Sequence, residues 1–286
     1  MMSRPWHFLL AFLLCAAGGA HAAISCSLGA VSGLATLYDG LASADTLDSG
    51  TYVVNCSRTS TSDPASVTFK TNVDAGANAQ GSNSRVRLGA TASYVRYDLY
   101  TSSAYSTVWG SQSSKAQNGT VSFSGTNLTG STTMTFYSSV GARQTAPQGL
   151  YTDTVTITLT YGASNTVAPA ASLSVSVSPI PACLFASTPG NIAFTYTAFS
   201  ASPVPASTTF GARCSTTLAY TVSLDAASGV VAGLRYTLSL SPPAGGGTGN
   251  GSVQTYTILG SMEAGQAGSC AGACSGSNNH SVTISY

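Results

Sequence analysis

The chain has 286 residues, of which 7% are charged, with 10 basic and 9 acidic side chains and a net charge of +1. So few cations, balanced by anions, give no electrostatic footprint for nucleic acid or for an acidic membrane surface. A single glutamate and two lysines amid abundant Ser, Thr, Val and Tyr argue against solvent-facing helices and for pleated strands, so the chain is read as all-β.

In chain order the first element is a targeting segment. Arg4 precedes the apolar run of residues 8–17, and Ala20, His21 and Ala22 form a small-x-small cleavage pattern. This predicts a signal peptide over residues 1–22, cut after Ala22. Leu14 stands where acylation of Cys15 would need a small residue, which disfavours a lipid anchor. No later run approaches ~20 consecutive apolar residues. Without Cys15 there remain Cys26, Cys56, Cys183, Cys214, Cys270 and Cys274. An even set in an exported chain predicts disulfides.

Residues 154–161 alternate polar and apolar side chains over a full strand length, and shorter alternations fall at 66–69, 120–123, 220–224 and 281–286. Period two puts apolar groups on one face and hydroxyls on the other. Turns are expected between them, at Asn118-Gly119 and over residues 242–247. Many short strands with frequent turns indicate a sandwich or barrel.

An internal repeat sets the organisation. Cys26 and Cys56 enclose nearly the same length of chain as Cys183 and Cys214, Tyr38 and Tyr196 follow the first cysteine of each pair, and Arg96-Tyr97 is echoed by Arg235-Tyr236. Residues 133–144 align without gaps on 255–266 with five identities. Both units close on a Val-Thr-Ile strand ending at Tyr161 or Tyr286. Two homologous domains follow, 23–163 and 182–286, joined by residues 164–181. That connector carries a strand with Leu173, Val175 and Val177 on one face, bracketed by prolines 169, 179 and 181.

Domain one resembles the spore coat protein U domain family, used as subunits of archaic chaperone–usher pili. The likeness is carried by Cys26, Tyr38, residues 52–56, residues 97–100, Val108-Trp109-Gly110 and above all the run GLYTDTVTITLTY at 149–161. Domain two is a divergent copy, lacking a Trp-Gly, placing Asn279-His280 near the position of Asp153-Thr154 and inserting the Cys270–Cys274 segment. The resemblance implies two immunoglobulin-like, pilin-type sandwiches in tandem, the C-terminal one lacking its last edge strand. In such subunits a hydrophobic groove is shielded by a periplasmic chaperone at an outer-membrane usher, then filled by the donor strand of the next pilin subunit, which is β-augmentation.

On that rule the donor strand lies just upstream of each domain's first cysteine. Ala23, Ile24 and Ser25 are too short to serve, whereas Leu173, Val175 and Val177 are placed to complete domain one from within the chain. The groove of domain two, edged by Val282, Ile284 and Tyr286, is expected to accept the chaperone or the next subunit. The implied function is a tip adhesin at the pilus tip on the cell surface, mediating attachment to abiotic or host surfaces and biofilm formation. The alternative is a secreted structural coat or matrix protein of the same fold. The repeat pairs Cys26 with Cys56 and Cys183 with Cys214, leaving Cys270 for Cys274.

No enzyme, cofactor or metal is expected. His280 is the sole histidine and Glu263 the sole glutamate downstream of residue 22, so a Ser-His-Asp set around His280 is set against a surface histidine in a Ser/Asn loop. Asp39, Asp45 and Asp48 lack the spacing of a calcium loop. Asn118 and Asn127 head glycosylation sequons, which arise readily in such a composition. Adhesive loops at the far end of domain one would draw on Leu37, Tyr38, Leu41, Tyr105, Val108, Trp109, Val140 and Pro147. Tyr38 and Trp109 compete with a packing role, since Tyr196 repeats the one and the family motif contains the other.

Overall fold

The computed structural model describes residues 24–242 and 246–286; the signal segment, its cleavage at Ala22 and part of the 242–247 turn lie outside them. The first half comprises β1 (Ile24–Val31), β2 (Leu34–Tyr38), β3 (Thr46–Arg58), β4 (Ser66–Val73), β5 (Arg85–Leu88), β6 (Tyr94–Tyr100), β7 (Gln117–Ser122), β8 (Thr129–Val140), β9 (Tyr151–Tyr161), β10 (Thr166–Val167) and β11 (Ala171–Pro179). The second half follows with β12 (Cys183–Ser187), β13 (Val204–Cys214), β14 (Ala219–Leu224), β15 (Ser228–Val231), β16 (Leu234–Ser241), β17 (Gly247–Thr248), β18 (Val253–Met262) and β19 (Val282–Ser285). Among the described residues the sole helical element is one 3-10 turn, Ser113–Lys115.

Strand alternation becomes layer structure directly. In β4, Val67, Phe69, Thr71 and Val73 are buried while Ser66, Thr68 and Lys70 face outward; β9 buries every second residue from Tyr151 to Leu159. One layer runs β1-β3-β8-β6 and the other β7-β4-β9-β11-β2, with β5 pairing both β6 and β9 and so turning the corner between them. Tyr52, Phe136, Val86, Val95, Ile157 and Leu159 are among the fully buried side chains of this core. Fully burying each aliphatic side chain of this kind contributes roughly 1.5–3 kcal/mol.

The second half repeats the plan around a separate core of Phe210, Ala212, Tyr220, Val222, Tyr236, Tyr256, Ile258 and Met262. Its sheets run β12-β13-β18-β16-β15 and β17-β14-β19. These match β1-β3-β8-β6-β5 and β7-β4-β9 one for one. Three strands of the first half have no counterpart: β2, β11 and the two-residue β10, which only extends the edge of β9.

The disulfides join Cys26 to Cys56, Cys183 to Cys214 and Cys270 to Cys274. The first two each staple an opposed antiparallel pair, β1 to β3 and β12 to β13. One expectation fails here: Asn118-Gly119 is no turn but the interior of β7, paired with β4. A β-carbon on Gly119 would stand 2.3 Å from Cζ of Phe69. The glycine is there so that the ring opposite can lie across the strand.

Candidate functional site

The two halves differ in one corridor. In the first, β11 lies antiparallel to β9, from Ala171 opposite Ile157 to Val177 opposite Tyr151. On its other side it runs parallel to β2, with Val175 opposite Leu34 and Pro179 opposite Tyr38. Leu173, Val175 and Val177 are buried in the core and the intervening serines point outward. Ser176 Oγ donates to the Leu34 carbonyl at 3.0 Å, and Ala168 is buried in the same core. The connector is therefore part of the first sandwich, satisfying the backbone of β9 on one side and of β2 on the other.

In the second half β19 pairs only with β14, Val282 opposite Leu224 and Ser285 opposite Thr221. Ile192, Phe194 and Tyr196 keep the every-other-residue burial of β2, yet residues 188–198 form no strand. Without a neighbour like β11 the segment has nothing to pair with. Between it and β19 lies a groove of ≈ 870 Å³ whose floor is Ile192, Phe194, Leu224, Leu238, Ile258, Met262 and Val282 and whose rim is polar, with Asn191, Thr208 and residues 277–280. Val282 and Ile284 are half-buried along its edge, while Tyr286 lies past the paired residues and is exposed. An apolar trough beside an unpaired strand edge is a template for another strand.

The rest of the repeat shows that the trough is a missing element and not a different fold. Tyr38 Oη accepts from Gln144 N–H at 2.7 Å, and the Gln144 amide clamps the backbone N–H and C=O of Arg96 at 2.7 and 2.9 Å. In the second half Tyr196 Oη accepts from Gln266 N–H at 2.9 Å, and Gln266 clamps Arg235 at 2.6 and 2.9 Å.

His280 belongs to this framework. Tyr97 Oη donates to buried Asp153 at 2.7 Å; the corresponding Tyr236 Oη meets His280 Nε2 at 2.6 Å and Asn278 Nδ2 at 2.9 Å. Asp225 Oδ1 holds His280 Nδ1 at 2.8 Å, and that hydrogen bond keeps the Asp225 carboxyl below its ordinary range. His280 is thus the exposed histidine of a Ser/Asn loop, tethered through both ring nitrogens, and the group on its far nitrogen is a tyrosine, not a serine. Burial raises the phenol of Tyr97, reinforced by the carboxylate of Asp153. It pushes Tyr52 up to about 12 against the pull of its hydrogen bond to Thr71. These phenols stay neutral and act as hydrogen-bond struts.

Asp39, Asp45 and Asp48 likewise have local work. Asp39 accepts from Leu41 N–H, Asp45 from Ser139 Oγ and Ala142 N–H, and Asp48 from Thr36 Oγ1 and Ser49 N–H. Cys270 and Cys274 sit on an exposed loop whose continuation, residues 276–280, borders the groove.

The proposed adhesive loops are largely corrected. Tyr38, Leu41, Trp109 and Val140 are buried. Trp109 stacks on Tyr52 at 5.4 Å and donates to the Thr71 carbonyl at 2.9 Å, so it is core. Tyr38 and Leu41 line the seam with the second half, alongside Ala146, Ile180, Ser215 and Thr216. Val140 ends β8 at that side, and the Pro147 carbonyl accepts from Tyr151 Oη there. An apolar residue covering a seam and one covering a ligand look alike in sequence. Leu37 alone of the set is strongly exposed, at 68%, while Tyr105 and Val108 are half-buried beside β6.

The opposite pole carries loops that sequence reasoning missed. Arg58 gathers them: Nε donates to the Asn127 carbonyl at 3.0 Å, and the terminal nitrogens donate to the backbone carbonyls of Asp63 at 3.1 Å and Gly125 at 2.8 Å, with the guanidinium over Phe123. Leu128 and Val167 are exposed at this end. No local pattern around Arg58 announces that role.

The Spore Coat Protein U domain model matches residues 11–158 and 170–243. The chain belongs to the Spore Coat Protein U domain family. Among solved structures it is similar to the CsuC–CsuE chaperone–tip adhesion subunit pre-assembly complex of archaic chaperone–usher Csu pili from Acinetobacter baumannii, at 14% identity and TM-score 0.51, covering 92% of this chain and 100% of that one. It is also similar to the CupB6 tip adhesin of Pseudomonas aeruginosa, at 10% identity and TM-score 0.41, covering 92% and 94% of the two chains. A search of curated proteins finds no match. For this Spore Coat Protein U member the first likeness shows a two-domain, pilin-type fold.

Proposed function

We propose that the chain is the tip subunit of a chaperone–usher pilus and attaches the fibre to surfaces, promoting biofilm formation. The observation that carries the reading is the asymmetry of the grooves. β11 fills the first from within the chain, whereas the second presents a groove with an apolar floor and a polar rim beside an edge strand paired on one side alone. A subunit so built accepts one donor strand, through its second domain. A periplasmic chaperone would occupy the trough first, and the donor strand of the next pilin would replace it at the outer-membrane usher. The first domain, already complete, is free to face outward from the cell.

The reading is one of binding and assembly. The groups that catalysis would recruit are held elsewhere: His280 between Asp225 and Tyr236, and Asp153 beneath Tyr97.

Immunogold labelling of the fibres tests it. Antibody against this chain is expected to mark distal fibre ends, and removal of residues 23–163 to leave fibres that assemble without attaching. Label distributed along the shaft would overturn the tip assignment.

A further inference from the structure

Of the nine basic residues downstream of residue 22, counting ten in the chain less Arg4, three lie on the β5–β6 hairpin, Arg85, Arg87 and Arg96, and a fourth, Arg143, adjoins Gln144, whose side chain clamps the Arg96 backbone. β5 pairs with β6 so that Arg85 stands opposite Arg96 and Arg87 opposite Tyr94. Like charges directly opposed on a sheet are destabilising. No arginine among the described residues is ion-paired. Arg85 and Arg87 are instead fixed by neutral acceptors, the carbonyls of Asn78 and Thr91, and both guanidinium groups lie over the Tyr94 ring, at 4.0 and 5.8 Å. Their positions are set while their charge stays uncompensated. The Arg96 and Arg143 side chains are exposed and no hydrogen bond occupies either one among the described residues, although Arg96 feels the charge of Asp98 two residues along the strand.

The outward row of β6 continues Tyr94, Arg96, Asp98, Tyr100, a strip roughly 20 Å long at the usual strand rise. At its far end Tyr100, Tyr105 and Tyr137 form an edge-to-face trio, with centroids 5.3 and 5.9 Å apart. Tyr105 sits at φ 51°. A bulky residue rarely adopts the left-handed region, and it persists there only where surroundings over-determine it. Here that conformation holds a half-exposed ring against two others.

We propose that this face binds an acidic polysaccharide, with arginines recognising its carboxylate or sulfate groups and tyrosine rings stacking on its sugar rings. The guanidinium fork matches such anions in a bidentate manner. Tyrosines supply rigid contact area with polar edges, the make-up of adaptable recognition surfaces. Asp98, set between Arg96 and Tyr100, repels an unbroken polyanion but accepts hydrogen bonds from sugar hydroxyls. That favours a chain with intermittent charge over nucleic acid or polyphosphate. The inference deepens the attachment role proposed above by naming a ligand class.

The test is affinity of the full mature chain for polygalacturonate and heparin, with neutral galactan and inorganic polyphosphate as comparison probes. One of the acidic polysaccharides is expected to bind about tenfold or more tightly than galactan, weakening as salt rises. Arg96→Gln with Arg143→Gln is expected to lose about tenfold, since each removes a charge-assisted contact. Tyr105→Ala loses a similar factor while Tyr105→Phe retains binding; unchanged circular dichroism and melting show that the variants fold. Absence of binding to both acidic polymers overturns the proposal, as does polyphosphate binding equally well with Tyr105→Ala silent. Fibres that label at their ends and attach normally while the chain ignores both polymers would sink this inference alone.

Discussion

At the scale of single residues, three strand glycines share one arrangement. Gly50 opposes Phe136, Gly119 opposes Phe69 and Gly229 opposes Tyr236, and in each case an added β-carbon would lie within 2.5 Å of the ring. An aromatic laid over a glycine shields the bare backbone and pins the register. Gly119→Ala is therefore expected to destabilise the first domain by about 1–3 kcal/mol through overpacking. Chemical denaturation measures it. Because the clash is with one ring, Phe69→Leu in the same chain should cost less in the Gly119→Ala background than alone, a coupling that a double-mutant cycle reads directly. Strict additivity would show that the glycine is not kept for Phe69. In sequence, Asn118-Gly119 reads as a turn because that dipeptide is a strong local signal. A ring arriving from another strand overrides it, and no local pattern carries that information.

At the scale of elements, β11 decides whether the first domain has a closed core. Its alternation is legible in the amino-acid sequence, as are those of β9 and β19, because period two survives whatever the tertiary context. Its role as the strand between β9 and β2 is also within reach, since the family likeness says where donor strands lie. Which end of the sandwich abuts the second domain is not legible, so Tyr38, Leu41 and Pro147 lie at the pole opposite to the one the sequence suggests. Nor does the sequence show β5 setting Arg85 against Arg96, since register depends on a partner strand that sequence does not name. Val175 is 2% exposed, so Val175→Asp places an unpaired charge in the core at a cost of more than about 4 kcal/mol. The first domain is expected to unfold while the second keeps its own transition. Ser172→Asp, on the outward face of the same strand, should change stability by less than about 0.5 kcal/mol. Calorimetry of the two variants distinguishes them; equal tolerance would mean that β11 does not fill the core.

At the scale of the whole molecule, the same sandwich occurs twice in two states of completion, and that contrast is measurable in one chain. The first core is closed by β11, and the second opens into a groove of ≈ 870 Å³ beside β19. Two unfolding transitions are therefore expected, with the second domain melting at lower temperature. Because the halves are homologous, the chain's own β11 offers a probe: a synthetic peptide of residues 171–179, with Leu173, Val175 and Val177 on its apolar face. Bound in the trough between residues 192–196 and β19, it would stabilise the second domain alone. At about 100 times its dissociation constant the gain is about 2.7 kcal/mol. At 4–8 °C per kcal/mol for a domain of about 100 residues, the lower transition should rise by roughly 10–20 °C. The upper transition should not move, since its site is already occupied covalently. A peptide with Val175 replaced by Asp controls for non-specific association. A single transition, or a lower transition indifferent to the peptide at saturating concentration, would show that the second domain is complete as it stands, and the donor-strand reading would fall with it.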